Sequence, residues 1–176
     1  MNQQKSNIFQ SAWIVDDIES AALLWAKNTG IGPFFVSENK EGVLDDTTYR
    51  GEPSPITTKV ALAQAGDTQV ELIQPMGSYK SAYRDTVPAG TAGFHHIGVW
   101  INDLDVGVET YLNNGFEVAA SGRKGTVVRF AYIDTSAVFG HMIELVEDTA
   151  QIRAFFKMIA DAAIDWDGTN PLRYYE

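Results

Sequence analysis

The sequence has no cysteine among its 176 residues, which excludes a disulfide framework and thiolate chemistry. Long apolar runs are missing too: no stretch approaches the roughly 20 residues of a membrane-spanning helix, and the first residues lack a secretion-signal pattern. Basic residues are few, 13 Lys and Arg against 23 Asp and Glu, and a formal net charge of -10 repels nucleic acid and anionic lipid. We therefore expect a cytoplasmic protein that binds neither nucleic acid nor membranes.

What the sequence does contain is an internal repeat. Residues 10–19 (QSAWIVDDIE) and 96–105 (HIGVWINDLD) both lead from an apolar run through a short acidic segment into a helical pattern. The apolar run predicts a strand, and the spacing of acidic residues predicts Asp16 and Asn102 as the N-caps of the two helices. The chain is therefore expected to consist of two related halves.

Each half reads as a βαβββ module, because three strand patterns follow its helix. The last strands are again alike, QVELIQ at 69–74 and MIELVE at 142–147. A helix covers only one face of such a module, so two modules side by side can form a curved sheet around a central cleft. The predicted fold is α+β, with modules at 1–76 and 94–147, a connecting segment at 77–93, and a C-terminal helix and tail at 148–176. We expect that helix outside a module or at a dimer contact.

Alternation along the strands selects the side chains that face the cleft. In the opening strands Gln10 and His96 share the cleft face, and His95 is predicted on the opposite, helix-covered face. In the closing strands Glu71 and Glu144 face the cleft between apolar neighbours. A single histidine in a strand is more often structural, but four polar groups at repeat-related positions favour a site. A divalent cation there would offset the cost of burying two carboxylates.

The predicted ligands are one imidazole nitrogen and three oxygens. This set suits Zn, Ni, Co, Mn or Mg, and it disfavours non-haem iron oxygen chemistry, which usually requires two histidines and one carboxylate. We therefore expect a divalent metal ion held by Gln10, Glu71, His96 and Glu144.

The strings FQSAWIVDDIESA, QVELIQP, FHHIGVWINDLD and GHMIELVE make residues 8–147 resemble the vicinal oxygen chelate superfamily, which includes glyoxalases, bleomycin resistance proteins and dioxygenases. AGFHHIGVWINDLD followed by IEL is similar to methylmalonyl-CoA epimerase, but that family has histidine in place of Gln10 and a second catalytic carboxylate where Lys59 aligns. The Gln/Glu/His/Glu set is similar to that of zinc-type glyoxalase I. The resemblance implies a lyase or isomerase in which Glu144 removes a proton next to a metal-bound carbonyl of a small substrate or thioester.

Two other functions stay open. One is a metal-free small-molecule binding protein of the bleomycin-resistance kind, and the other is an extradiol dioxygenase-like oxygenase. We also expect a homodimer. The candidate substrate contacts are Arg50, Lys59, Tyr83, Arg84 and Trp100. Arg50 lies in a polar segment, 38–55, that is predicted as a loop with room for one short strand and that either covers the cleft or is ordinary surface.

Overall fold

The computed structural model of the protein describes residues 7–175. Residues 1–6, part of the segment without a signal pattern, and Glu176 lie outside the described residues. The strands are β1 (Ile8–Ile14), β2 (Phe34–Asn39), β3 (Asp45–Tyr49), β4 (Glu52–Pro53), β5 (Thr58–Ala65), β6 (Thr68–Pro75), β7 (Gly93–Ile101), β8 (Glu117–Lys124), β9 (Val128–Asp134), β10 (Met142–Glu147) and β11 (Leu172–Tyr174). The helices are α1 (Ile18–Thr29), α2 (Ala82–Thr86), α3 (Leu104–Asn113), α4 (Ser136–Phe139) and α5 (Ala150–Ala163). None of these helices is long and apolar enough to cross a membrane.

All strands of the described chain form one sheet, in the order β11-β2-β5-β6-β1-β7-β10-β9-β8-β3-β4. In each half the opening strand pairs in parallel with the last strand, β1 with β6 and β7 with β10. The halves join where β1 pairs antiparallel with β7, within one chain. The sheet is curved and open, so the predicted α+β class is confirmed.

Helices α1 and α3 cover the outer face of the sheet, and each begins one residue later than predicted. The N-caps are Asp17, which accepts a hydrogen bond from Ser20 N, and Asp103, which accepts one from Val106 N. Asp17 and Asp103 have extended backbones just before the first helical turn, and only a side chain at that position reaches the N–H three residues ahead. The prediction of Asp16 and Asn102 was therefore wrong by one residue in both halves.

The polar segment from residue 38 to 55 contains two strands, where we expected a loop with at most one. Strand β3 crosses from the first half to the far edge of the second half and pairs with β8, and β4 pairs with β3. The segment therefore ties the two modules together at a distance from the β1–β7 junction.

Helix α5 packs on the concave face of the sheet, so its expected position outside a module was wrong. Ile159 is fully buried there beside Phe35 of β2 and Leu62 of β5. The tail then continues as β11, which pairs with β2. Because Phe35, Val60 and Leu62 make this part of the concave face apolar, burying the apolar stripe of α5 against it stabilises both surfaces.

Candidate metal centre and its cavity

Three of the four predicted ligands meet at the centre of the sheet. His96 Nε2 lies 3.3 Å from Glu71 Oε2 and 3.4 Å from Glu144 Oε2. One ligand atom from each of the three residues lies within 4.8 Å of the others. Two ligand atoms at about 2.1 Å from one tetrahedral zinc ion lie about 3.4 Å apart, so the observed spacing fits a shared cation.

Small residues on neighbouring strands allow these side chains to meet. Ala12 on β1 lies opposite both Glu71 on β6 and His96 on β7. Its methyl group leaves space above β1, so two side chains from strands that are not neighbours converge over it. Gly98 pairs with both Gln10 and Glu144, and a Cβ at Gly98 would lie 2.9 Å from Gln10 Oε1. The glycine therefore makes room for the Gln10 amide.

Several buried polar atoms of this cluster lack a hydrogen-bond partner. Within residues 7–175 they include Gln10 Oε1, Glu71 Oε2 and His96 Nε2, all of which are metal-ligating atom types. Gln10 Nε2 donates a 2.6 Å hydrogen bond to Gln69 Oε1, which orients the Gln10 amide. An unpaired buried acceptor is costly, and a divalent cation between Glu71 and His96 would satisfy the unpaired atoms of both; Gln10 Oε1 is an acceptor that suits the same kind of ion. The residues present therefore fit the metal that the sequence predicts.

His95 lies on the cleft side of β7, so its predicted position under the helix was wrong. Ala12 pairs with His96 and Trp13 with Phe94, which leaves His95 as the extra residue of a β-bulge. A bulge re-aims a side chain that simple alternation would send to the other face. The His95 ring is fully buried, next to the rings of Tyr83 and Tyr132.

The ring nitrogens of His95 and His96 form a short hydrogen-bonded chain. His95 Nε2 lies 3.1 Å from the Ala82 carbonyl oxygen, which can only accept, so Nε2 carries a hydrogen. Nδ1 of a neutral His95 is then an acceptor, and His96 Nδ1 donates to it at 2.9 Å. This arrangement leaves His96 Nε2, the atom that faces Glu71 and Glu144, as the position for a metal.

The pKa values of the cluster follow from burial and from its own charges. Burial and the neighbouring His96 lower the pKa of His95 to about 3, so this ring is neutral at physiological pH. Burial alone would lower the pKa of His96, but its contacts with the Glu144 and Glu71 carboxylates raise it to about 9. Burial raises the pKa of Glu71. Without a cation, the imidazolium of His96 supplies the positive charge between the two carboxylates.

Above the cluster lies a cavity of about 400 Å³. Gln10, Glu71 and Glu144 form its polar floor, and its walls are mainly aromatic and aliphatic. A concave, largely apolar space with a few convergent polar groups is typical of a small-molecule site.

A family model described as the Glyoxalase/Bleomycin resistance protein/Dioxygenase superfamily matches residues 9–132. The match spans more than half of the chain. The chain belongs to this superfamily. The resemblance to the vicinal oxygen chelate proteins is thereby confirmed, and the paired modules are the fold of this superfamily.

Solved structures share the fold at low sequence identity. Methylmalonyl-CoA epimerase from Mycobacterium tuberculosis has a TM-score of 0.56 and 20% identity, with 85% of this chain and 95% of that chain covered. A variant of the Streptomyces coelicolor epimerase in complex with 2-nitronate-propionyl-CoA has a TM-score of 0.59 and 18% identity, covering 82% and 99%. A hypothetical protein from Bacillus halodurans has a TM-score of 0.58 and 15% identity, with 84% of this chain and 98% of that chain covered. No curated protein matches the chain, and at these identities the structures show the fold alone.

Two of the five candidate substrate contacts, Tyr83 and Trp100, lie on the cleft side of the sheet. Tyr83 lines the cavity, with its hydroxyl 3.4 Å from that of Tyr132. Trp100 lies on the cleft face as predicted, but it is buried between Phe9, whose ring stacks on it, and the guanidinium of Arg153. Of these two residues, Tyr83 is the one that lines the cavity.

Three predicted contacts lie away from the cavity. Arg50 forms ion pairs with Asp85 and Asp134, both at 2.6 Å, which fix the β3–β4 hairpin. Arg84 donates to the carbonyls of Val87 and Pro88. Lys59 lies on the helix-covered face of β5, where its charge acts on Asp17. Lys59 therefore lies on the opposite face of the sheet from Glu71, His96 and Glu144.

Gln69 and His95, which hydrogen-bond the predicted ligands Gln10 and His96, were not assigned to the site from the sequence. Gln69 shares the parity of Glu71, two positions earlier on β6, and this spacing could have identified it. His95 could not be found by parity, because the bulge reverses its direction.

Proposed function

We propose that the protein is a metal-dependent isomerase or lyase of the glyoxalase type, which removes a proton next to the carbonyl of a small substrate. The observation that carries the proposal is the cluster of Glu71, His96 and Glu144, with unpaired ligand atoms, at the floor of a cavity. The structural neighbours named as methylmalonyl-CoA epimerases support isomerase chemistry on a carbonyl compound.

In this proposal Gln10, Glu71, His96 and Glu144 hold the cation. When bound, a divalent cation supplies the positive charge that stabilises negative charge developing on a substrate oxygen. Glu144 takes the proton from the carbon next to the carbonyl and returns it, since its carboxylate lies at the cavity floor. Burial raises the pKa of Tyr132, so its hydroxyl stays protonated and can donate a hydrogen bond. The apolar walls exclude water from the reacting carbon.

The test is deuterium exchange in D2O after reconstitution with Zn, Ni, Co, Mn or Mg. The substrates are hemithioacetals, acyl-CoA esters and α-hydroxy ketones, and the readout is mass change at the carbon next to the carbonyl. We expect exchange with at least one metal and substrate, and none with Glu144→Gln. Exchange at the wild-type rate in Glu144→Gln would remove Glu144 as the base.

Glu71→Gln is the matched control, because the same substitution is made at the repeat-related carboxylate. It should weaken metal binding and retain exchange once metal is saturating. If only Glu71→Gln lost exchange, the base would be Glu71 instead. No exchange with any combination in the wild type would contradict the proposed function.

The aromatic cavity walls also suit a metal-free binding protein. Metal analysis of protein purified without a histidine tag separates the two functions. A near-stoichiometric divalent ion supports the enzyme, and a ligand-binding protein that stays metal-free supports the alternative. The homodimer and the cytoplasmic location stay predictions.

A further inference from the structure

Most of the cavity wall is hydrophobic, although Ser37, Asn39, Thr58 and Lys124 also line it. The second module contributes Phe130 and Tyr132, the first module contributes Val60 and Leu62, and the connecting segment contributes Tyr83. The C-terminal segment contributes a further part of the wall, through Ile152, Phe155, Phe156 and Tyr175.

A helix cap, an ion pair and a side-chain hydrogen bond hold the C-terminal part of the wall in place. Thr149 caps α5, and Asp148 forms a two-point ion pair of 2.7 Å contacts with Arg153. The Tyr175 hydroxyl accepts a hydrogen bond from Ser37, and its ring contacts Phe155. A substrate that fills the cavity therefore contacts a preformed apolar surface rather than a loop that orders around it.

Most charges around the cavity are paired within the described part of the protein, and Lys124 is the exception. Among residues 7–175, Lys124 is the only cationic side chain that lines it. Nearby Arg123 binds Asp46 at 2.6 Å, and Arg153 binds Asp148. Two floor carboxylates neutralise a divalent cation, so the loaded site has little attraction for an anionic substrate.

We infer that the substrate is a neutral α-hydroxy carbonyl compound with an apolar or aromatic body, rather than a CoA or glutathione conjugate. The inference rests on the proposed function. The chelating oxygens lie toward the floor, and the body contacts Phe155 and the other aromatic walls. The proton removed from the carbinol carbon returns to the former carbonyl carbon, and the hydroxyl proton moves to the other oxygen. Atoms and electrons balance without a co-reactant.

The test compares metal-chelating ligands: two hydroxamic acids that differ in their apolar group, and one ligand that carries CoA. Calorimetry on the zinc-loaded protein measures binding of benzohydroxamic acid, acetohydroxamic acid and 2-nitronate-propionyl-CoA. We expect benzohydroxamic acid to bind at least about tenfold more tightly than acetohydroxamic acid, since a buried phenyl ring adds apolar contact. The CoA ligand should bind no more tightly than acetohydroxamic acid.

Variants of the cavity wall test whether it causes the tighter binding of benzohydroxamic acid. Phe155→Ala and the milder Phe155→Leu should reduce the preference for the phenyl ring, whereas Met158→Ala, at an exposed position of the same helix, should leave it unchanged. Tightest binding of the CoA ligand, with loss of that binding in Lys124→Ala, would overturn the inference and leave the proposed function standing. Tight binding of benzohydroxamic acid without deuterium exchange in any substrate would overturn the proposed function and leave the ligand class in place.

Discussion

The adjacent residues His95 and His96 make different contacts in one series of hydrogen bonds. His96 directs Nε2 toward the carboxylates of Glu71 and Glu144, and His95 links His96 to the Ala82 carbonyl. A hydrogen bond to the second ring nitrogen fixes the tautomer and the orientation of a metal-binding histidine. His95 is not among the residues that line the cavity, so we expect it to act through His96.

His95→Phe should weaken zinc affinity about 10- to 100-fold, because it removes the acceptor for His96 Nδ1 while keeping a ring in the buried space. His95→Gln should retain more of the affinity, since its amide can accept from His96 and donate to Ala82. Chelator competition gives the dissociation constants, and 15N NMR reports the His96 tautomer. Wild-type affinity and an unchanged tautomer in His95→Phe would show that His95 only fills space.

At the scale of elements, helices α1 and α3 begin with the same capping geometry, so the two halves are alike in structure as well as in sequence. Asp17 and Asp103 occupy the same position relative to α1 and α3, and both accept a hydrogen bond from the backbone N–H three residues later. Each helix covers the outer face of its module and follows the opening strand directly. The position of the helix start therefore also limits where that strand can end.

Asp103→Ala should lower the free energy of unfolding by about 0.5–2 kcal/mol, the usual effect of losing an N-cap. The neighbouring Asn102→Ala should change it by no more than about 0.5 kcal/mol, as for most exposed positions. Urea denaturation monitored by circular dichroism measures both. A larger effect at Asn102 than at Asp103 would contradict the assigned cap.

At the scale of the whole molecule, the candidate centre depends on both modules of one chain. Gln10 and Glu71 come from the first module, and His96 and Glu144 come from the second. The β1–β7 pairing joins them, and the β3–β8 pairing ties the outer parts together. A centre built this way is complete without exchange of a module between chains.

Glu71→Ala and Glu144→Ala should therefore fail to complement each other. We expect no zinc-dependent deuterium exchange after the two variants are unfolded, mixed and refolded together, because every chain lacks one carboxylate of its own centre. Wild-type protein treated in the same way controls for refolding. Exchange that returns only in the mixture would mean that chains swap modules to build the site.

The sequence predicts those features of the fold and the site that depend on residues close together in the chain. The repeat and the alternation along β1, β6, β7 and β10 predicted the α+β fold. They also predicted the cleft-facing positions of Gln10, Glu71, His96 and Glu144, because strand periodicity is local. Their role as metal ligands stays a prediction.

The tertiary structure alone decided the direction of His95, the crossing of β3 to β8 and the position of α5 on the concave face. The bulge depends on how β7 pairs with β1, and the other two features depend on surfaces formed by residues far apart in the chain. The sequence by itself determined that Gln10, Glu71, His96 and Glu144 face the cleft, since regular alternation depends only on neighbours along one strand. What encloses the cleft is decided by packing between distant segments, whose energy no local pattern contains.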